Sequence, residues 1–179
     1  MSSNDLSVEA PVGTAAGLRR YFDESFAAPA ASMTQPLEDF LAIRVGSDPY
    51  AFRLSEIAGL HAGVMIVPVP SPAVQLLGIV GIRGMMAPIY DLAALLRYPP
   101  SVNPRWFVIA RAPHPVGFAF EAFESHLQVA PASLASGNRQ DTGTGKAGKH
   151  LRGTVRTAGA LRPIIFLASV MDMIEDINS

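Results

Sequence analysis

Four histidines, which commonly serve as metal ligands or general bases, are spread along the chain at His61, His114, His126 and His150. A metal or catalytic site requires such side chains close together, and the sequence has no cysteine to supply sulfur ligands. Structural or solvated histidines are therefore favoured over a metal site. We predict no metal and no other cofactor.

Other residues of catalytic type also lack the spacing that catalysis requires. The segment from Asp141 to Lys146 imitates part of a phosphate-binding loop, but it lacks the GxxxxGK[ST] spacing and does not directly follow a predicted strand. Ser71, Ser101 and Ser169 lie outside a nucleophile-elbow pattern. We therefore predict that the protein is not an enzyme. A small-ligand enzyme with a polar pocket of converging groups is the less favoured alternative.

Glu121 and Glu124 lie three residues apart and would share one face if this segment were helical. A solvated edge is the favoured interpretation, and an ion-pair role stays open.

Arg83 is the strongest binding candidate, because it lies in the turn-like sequence Gly81-Ile82-Arg83-Gly84 and its guanidinium group suits carboxylates. The alternative is an ordinary charged turn residue. Met65, Met85 and Met86 would supply adaptable apolar contacts nearby. Alternation along a strand predicts that one of Met85 and Met86 is buried.

The whole composition excludes several classes of partner. The chain has 14 basic and 15 acidic residues, and no basic run marks a nucleic-acid or membrane surface. Met1 to Val12 does not read as a signal peptide, and no apolar run reaches the roughly 18 to 20 residues of a membrane span. We predict a cytoplasmic protein that neither binds nucleic acid nor inserts into a membrane.

Short apolar runs separated by Pro and Gly begin at Phe40 and predict a body rich in short strands. Helices are predicted at Ser55–His61, Asp91–Arg97 and Leu167–Asp176, with Asp91 placed to cap the second. The predicted strands, five in each half, are Asp39–Val45, Tyr50–Leu54, Val64–Val67, Leu76–Ile82, Met85–Tyr90, Arg105–Ala110, Val116–Phe120, Leu127–Ala130, Gly153–Thr157 and Leu161–Phe166.

Two segments are predicted to be mobile. Residues 1–37 are rich in Ser, Ala, Pro and Gly and read as a tail, with a docking peptide containing Leu18, Tyr21, Phe22 and Phe26 as the alternative. Residues 135–149 are polar and read as an insertion in a connection.

An internal repeat relates the two halves of the body. At a displacement of 66 the matched pairs are Phe40 and Trp106, Ile43 and Ile109, Pro49 and Pro115, Phe52 and Phe118, Leu54 and Phe120, and Ile57 and Phe123. At a displacement of 75 they are Gly78 and Gly153, Val80 and Val155, Gly84 and Gly159, Pro88 and Pro163, Ile89 and Ile164, and Leu92 and Leu167.

Gly allows positive φ, and Pro fixes φ and lacks an N–H donor. Because both residue types recur at matching positions, the same turns are expected in both halves. We predict a mainly β protein with two five-stranded units, about 38–98 and about 104–177. Arg83 corresponds to Ala158 in the second copy. This difference between otherwise similar turns favours a functional role for Arg83.

The run from Leu77 to Leu92, LGIVGIRGMMAPIYDL, resembles the signature of CheW-like domains, a Gly-Val-Ile-Asn-Leu-Arg-Gly turn leading into Pro-Val-Ile-Asp-Leu. Tyr50 to Ile57 and Val67 to Pro70 resemble the family's preceding segments, although Gly81 replaces its usual Asn. The resemblance covers about Glu38 to Ile177.

The resemblance implies paired SH3-like five-stranded β-barrels with short helices and no catalysis. It implies an adaptor that binds the regulatory domain of a CheA-type histidine kinase and the cytoplasmic tip of methyl-accepting chemoreceptors. The predicted partner-binding residues are Arg83, Glu56, Ile82, Gly84 and Met85. The alternative is a divergent relative that binds one partner only, as an insulated adaptor or competitor.

Overall fold

The computed structural model describes residues 36–135, 148–157 and 159–178, and the chain is mainly β, as predicted. The first-half strands are β1 (Glu38–Val45), β2 (Asp48–Arg53), β3 (Ile57–Ala62), β4 (Leu76–Ile82) and β5 (Met85–Asp91). The second-half strands are β6 (Trp106–Ala110), β7 (Gly117–Phe120), β8 (Ala122–Val129), β9 (Leu134–Ala135), β10 (Leu151–Arg156) and β11 (Leu161–Ile165). The helices are α1 (Leu92–Leu95) and α2 (Leu167–Asn178), and the 3-10 turns are η1 (Leu54–Glu56), η2 (Pro131–Ser133) and η3 (Gly148–His150).

Most predicted elements are confirmed, but the helix predicted at Ser55–His61 is wrong. The structure has η1 followed by β3, which pairs with β6. Gly59 weakens a helix here, and the pairing offered by β6 outweighs local preference. The strand predicted at Val64–Val67 is reduced to one isolated bridge between Val67 and Ile79. Residues 1–35 and 136–147, which include most of the predicted tail and insertion, lie outside the described residues.

The strands form two sheets, and each sheet combines strands from both halves of the chain. The six-stranded sheet has the order β8-β1-β2-β11-β10-β9, and the five-stranded sheet has the order β3-β6-β7-β5-β4. The halves meet in two parallel pairs, β2 with β11 and β5 with β7. The sheets therefore cut across the predicted ranges 38–98 and 104–177, because sequence similarity cannot reveal which copy a strand will pair with.

Strand pairing confirms the internal repeat. Without its last strand, β9, the six-stranded sheet has the order β8-β1-β2-β11-β10. If each of these strands is replaced by its counterpart in the other copy, the order becomes β3-β6-β7-β5-β4, which is that of the five-stranded sheet. The parallel pairs agree residue by residue, since Ile164 lies opposite Ala51 and Ile89 lies opposite Gly117. These pairs differ by the displacements of 75 and 66. The two sheets are thus copies that have exchanged their first two strands.

The pairing corrects the predicted alignment of β1 with β6 by one residue. Ile43 lies opposite Phe123 on β8, and the counterpart of Phe123 at a displacement of 66, Ile57, lies opposite Ala110. The counterpart of Ile43 is therefore Ala110, at a displacement of 67, and not Ile109. By the same shift, Phe40 corresponds to Phe107 and not to Trp106. The prediction was wrong here because neighbouring apolar residues on β6 match β1 almost equally well.

The six-stranded sheet curls strongly, as a predicted barrel requires. Val129 ends β8 and Leu134 begins β9, so five residue steps connect the two end strands of the six-stranded sheet. Five steps reach at most about 18 Å. A flat six-stranded sheet would separate its end strands by about 24 Å. Within the described residues the hydrogen-bonded ladders nevertheless do not close into complete barrels.

Gly78 and Gly153 occupy equivalent positions where another segment crosses closely. A Cβ atom on Gly78 would lie 2.2 Å from the carbonyl oxygen of Val67, and one on Gly153 would lie 2.8 Å from that of Ala135. Both residues have positive φ, 148° and 76° respectively. The recurrence of these glycines therefore reflects the same close crossing in both copies.

One core joins the two sheets, and each sheet has a smaller apolar cluster on its other side. The joint core includes Phe52, Phe118, Phe120, Leu92 and Leu167, all at most 1% exposed. The cluster of the five-stranded sheet contains Val80, Ala87, Ile89, Phe107, Ile109 and Ala119. The cluster of the six-stranded sheet contains Phe40, Ala51, Val129, Val155 and Ile164. Among the described residues, no helix is long and apolar enough to cross a membrane.

Glu124 lies on β8 and not on a helix, and it forms an ion-pair cluster. Its carboxylate accepts hydrogen bonds from Arg44 on β1 at 2.7 Å and contacts Arg162 on β11 at 2.6 Å. Burial acts to raise the pKa of Glu124, but the bonds from both arginines outweigh it and lower that pKa. The ion-pair role that the sequence left open is therefore the one observed.

We expect Glu124→Gln to lower the free energy of unfolding by about 1 kcal/mol at neutral pH, because it breaks a network of two ion pairs. A carboxylate with a lowered folded-state pKa stabilises the fold above its unfolded pKa and loses that contribution as the pH falls through the folded one. The difference from the unchanged protein, measured by urea denaturation, should therefore shrink as the pH falls below the ordinary pKa of a glutamate and vanish once the folded protein is protonated at Glu124. Glu121→Gln, at an exposed neighbouring position, is the control. An equal loss in both variants, or a loss that persists in acid, would contradict the assignment.

Candidate functional site

The β4–β5 hairpin forms an exposed tip around Arg83. Ile82 pairs with Met85, so Arg83 and Gly84 make a two-residue turn. Both have positive φ, 50° and 80°, as in a type I′ turn, which joins twisted strands well. The turn brings together four predicted partner-binding residues, Ile82, Arg83, Gly84 and Met85.

Arg83 adopts a backbone conformation that is unfavourable for its residue type. Left-handed φ costs most residues other than Gly roughly 1 to 2 kcal/mol, with Asn and Asp the usual exceptions. Type I′ turns accordingly prefer Asn-Gly. The arginine is therefore not the residue that would make this turn most stable, and its side chain is exposed at the tip.

Met85 and Met86 are both exposed, at 55% and 61%, so the prediction that one of them is buried is wrong. Neighbouring strand residues point to opposite faces, and the hairpin tip therefore has solvent on both sides. The sulfur of Met86 lies 3.7 Å from the Cβ position at Gly81, so this methionine lies over the glycine on the paired strand.

Further apolar side chains lie beside β4, on the segment that follows β3. Val67, 52% exposed, forms an antiparallel bridge with Ile79. Because the bridge is antiparallel, the chain runs from Val67 back to Met65 in the direction of the Arg83 turn. Met65 is 82% exposed. We call Met65, Val67, Met85 and Met86 the apolar rim.

The charge of Arg83 reaches His61 on β3, at the opposite end of the strand order. Burial lowers the pKa of His61, and the positive charge of Arg83 lowers it further. The ring of His61 stacks on Phe107 with a centroid separation of 5.1 Å. The curl of the five-stranded sheet thus brings its two end strands close to the candidate site.

Glu56, the fifth predicted residue, makes its contacts elsewhere. It lies in η1, and its carboxylate accepts a hydrogen bond from the backbone N–H of Leu167 at the start of α2, at 3.1 Å. The helix start in the other copy is capped by Asp91, whose counterpart at a displacement of 75 is Phe166. Glu56 therefore supplies the carboxylate that Phe166 lacks. No hydrogen bond joins Glu56 to the Arg83 turn among the described residues.

The sequence missed two features of the site. The backbone strain at Arg83 could have been inferred from Ile82-Arg83-Gly84-Met85, a two-residue hairpin turn with Gly at its second position. The exposure of Val67 could not be predicted, because the apolar run from Val64 to Val67 predicts a strand. No group of three or more His, Asp or Glu side chains suited to a metal occurs in the described part of the chain.

Comparisons with known proteins agree with this architecture. A family model for the CheW-like domain matches residues 39–176. The crystal structure of the scaffolding protein TtCheW from Thermoanaerobacter tengcongensis is similar, with a TM-score of 0.63, 16% sequence identity and coverage of 73% of this chain and 88% of that one. Among curated protein sequences nothing matches. Because the family model spans most of the sequence, the chain belongs to the CheW-like domain family.

Proposed function

We propose that this protein is a cytoplasmic, non-enzymatic adaptor that couples chemoreceptors to a CheA-type histidine kinase. Membership of the CheW-like family supports a scaffolding role, and the similar solved structure is of a scaffolding protein. The observation that carries the proposal for this chain is Arg83, an exposed arginine in a strained turn that is followed by two exposed methionines. Backbone strain retained at an exposed residue is typical of functional positions.

The Arg83 turn combines two kinds of contact that suit a protein partner. The guanidinium group can pair with a carboxylate on the partner. The apolar rim offers flexible methionine side chains that adapt to an apolar helix face. Ile82, Gly84 and Met85 belong to this proposed surface. Glu56 belongs to it only through the resemblance, since its observed contact stabilises α2.

The direct test of the function is simultaneous binding. The full chain is mixed with a CheA-type regulatory domain and a chemoreceptor cytoplasmic fragment, and the mixture is separated by size-exclusion chromatography. A single peak with all three proteins supports the adaptor. Binding of one partner only would favour the alternative, an insulated adaptor or competitor, and binding of neither would refute the proposal.

We expect Arg83→Asn to weaken binding and to strengthen the fold. Asn suits the first position of a type I′ turn, so the free energy of unfolding should rise by up to about 1 kcal/mol. Loss of a central arginine contact should cost about 2 kcal/mol in binding, more than tenfold in affinity. Isothermal titration calorimetry with each partner and a thermal melt measure the two effects.

Two further variants complete this experiment. Arg83→Ala should also weaken binding while the free energy of unfolding stays within about 0.5 kcal/mol. Arg105→Ala, at an exposed arginine just before β6, should change neither quantity. Unchanged affinity for both partners in Arg83→Asn, or a collapsed melting temperature in Arg83→Ala, would refute the assignment of Arg83 to partner binding.

A further inference from the structure

The six-stranded sheet contains a cavity that the adaptor function does not use. Its volume is about 560 Å³, and its wall includes Leu134, Ile164 and Phe166 together with Arg53, Lys149 and Arg152. Cavities of this size accommodate a small organic molecule. The mixture of apolar wall and cationic side chains restricts which molecule would fit.

The internal repeat shows that these arginines are not required by the fold. At the displacements of the repeat, Arg53 on β2 corresponds to Ala119, and Arg152 on β10 corresponds to Leu77. Ala119 is fully buried in the apolar cluster of the five-stranded sheet, and Leu77 packs against that cluster. The same backbone positions thus hold apolar side chains in one sheet and guanidinium groups in the other. In the six-stranded sheet Arg152 is exposed and Arg53 is partly exposed, so both guanidinium groups are accessible to a ligand from solution.

The charges around the cavity are only partly compensated. Arg53 lies 3.0 Å from the carboxylate of Glu38, which also lines the cavity. The guanidinium group of Arg152 lies 3.6 Å from the ring centre of Phe166, and Lys149 lies nearby on η3. Among the described residues no carboxylate pairs with Arg152 or Lys149. In the part of the chain that the structure describes, the cavity wall therefore carries two exposed cationic groups that pair with no carboxylate.

We propose that this cavity binds a small organic anion with an apolar body and one carboxylate or phosphate group. The anionic group pairs with Arg152 and Lys149, since a guanidinium group binds either oxyanion through two parallel hydrogen bonds. The apolar body contacts Leu134, Ile164 and Phe166. The site lies on the six-stranded sheet and is separate from the Arg83 turn on the five-stranded sheet, so this inference does not rest on the proposed partners.

The test is a titration of the full, isotope-labelled chain with phenyl phosphate and with benzoate, followed by amide NMR. Both probes carry an anionic group on an apolar ring, and a fragment of this size is expected to bind with a dissociation constant of the order of 1 mM. Amide shifts should concentrate at residues 149–153 and around Ser169, which also lines the cavity. Benzylamine, a cation of similar shape, should produce no such shifts.

The matched variants are Arg152→Leu and Arg156→Leu. Arg152→Leu introduces the residue found at the equivalent position of the other sheet, and it should weaken binding at least tenfold. Arg156 lies on the same strand, is exposed and does not line the cavity, so Arg156→Leu should bind as the unchanged chain does. Thermal melts establish that both variants are folded. Absence of localised shifts with both anions, equal binding of benzylamine, or unchanged binding in a folded Arg152→Leu protein would overturn the proposal.

Discussion

Replacing Asp91 with alanine is expected to lower the free energy of unfolding by about 3 to 4 kcal/mol. Asp91 is 1% exposed, and its carboxylate accepts from the backbone N–H of Ala93 at 3.0 Å and from that of Ser101 at 2.8 Å. It also accepts from the Ser101 hydroxyl at 3.0 Å. Alanine removes the cap of α1 and leaves the Ser101 N–H without its acceptor. The melting temperature should fall by roughly 10 °C.

Two milder variants separate these contributions. Ser101→Ala removes one hydrogen bond and should cost about 1 kcal/mol. Asp91→Asn keeps an acceptor oxygen but places an amide donor in the same position as a carboxylate oxygen, and it should fall between the other two. If Asp91→Ala proved no more destabilising than Ser101→Ala, the Asp91 carboxylate would not be the group that holds the segment around Ser101 against the start of α1.

Gly78→Ala is expected to cost about 3 kcal/mol or more in unfolding free energy. The new methyl group would lie 2.2 Å from the carbonyl oxygen of Val67, a backbone atom that cannot turn aside as a side chain can. The φ of 148° adds strain for any residue with a Cβ atom. The loss should appear as a lower midpoint in urea denaturation.

Gly148→Ala is the matched control for this substitution. A Cβ atom at Gly148 meets nothing within 4 Å, so the change should stay within about 0.5 kcal/mol. Equal midpoints for Gly78→Ala and the unchanged chain would mean that the segment carrying Val67 moves away from β4 at little cost. The close crossing would then not explain the recurring glycine.

The sequence predicted the local features of the fold well because they depend on neighbouring residues. Asp91 was assigned as a helix cap from the apolar run after it, and its carboxylate caps α1 in the structure. The displacement of 75 between Gly78 and Gly153 agrees with strand pairing, since both glycines lie at irregularities of equivalent hairpins. Turns and caps have recognisable residue signatures.

Features that depend on distant partners could not be predicted in the same way. The exchange of β1 and β2 between the two copies leaves no signal in the sequence. These strands would bury the same residues whether they paired with strands of their own half or with those of the other half. The segment containing Gly59 became a strand only because β6 lies beside it. At the site, the sequence identified Arg83 and its neighbours. The sequence could not show that Glu56 makes its contact away from the Arg83 turn, because that contact, with Leu167, spans 111 residues of chain.

The exchanged strands set an order in which the protein can be completed during synthesis. All strands of the five-stranded sheet have been made once Phe120 has left the ribosome, whereas the six-stranded sheet needs β11. β11 begins at Leu161, 108 residues after β2 ends at Arg53 (161 minus 53). At ordinary translation rates the first hairpin therefore waits roughly 5 to 20 seconds for its parallel neighbour. The outer edge of β1 can pair with β8 before then, but the edge of β2 that faces β11 stays unpaired for the whole interval. A chain that stops before β11 therefore keeps an open strand edge that another chain could pair with.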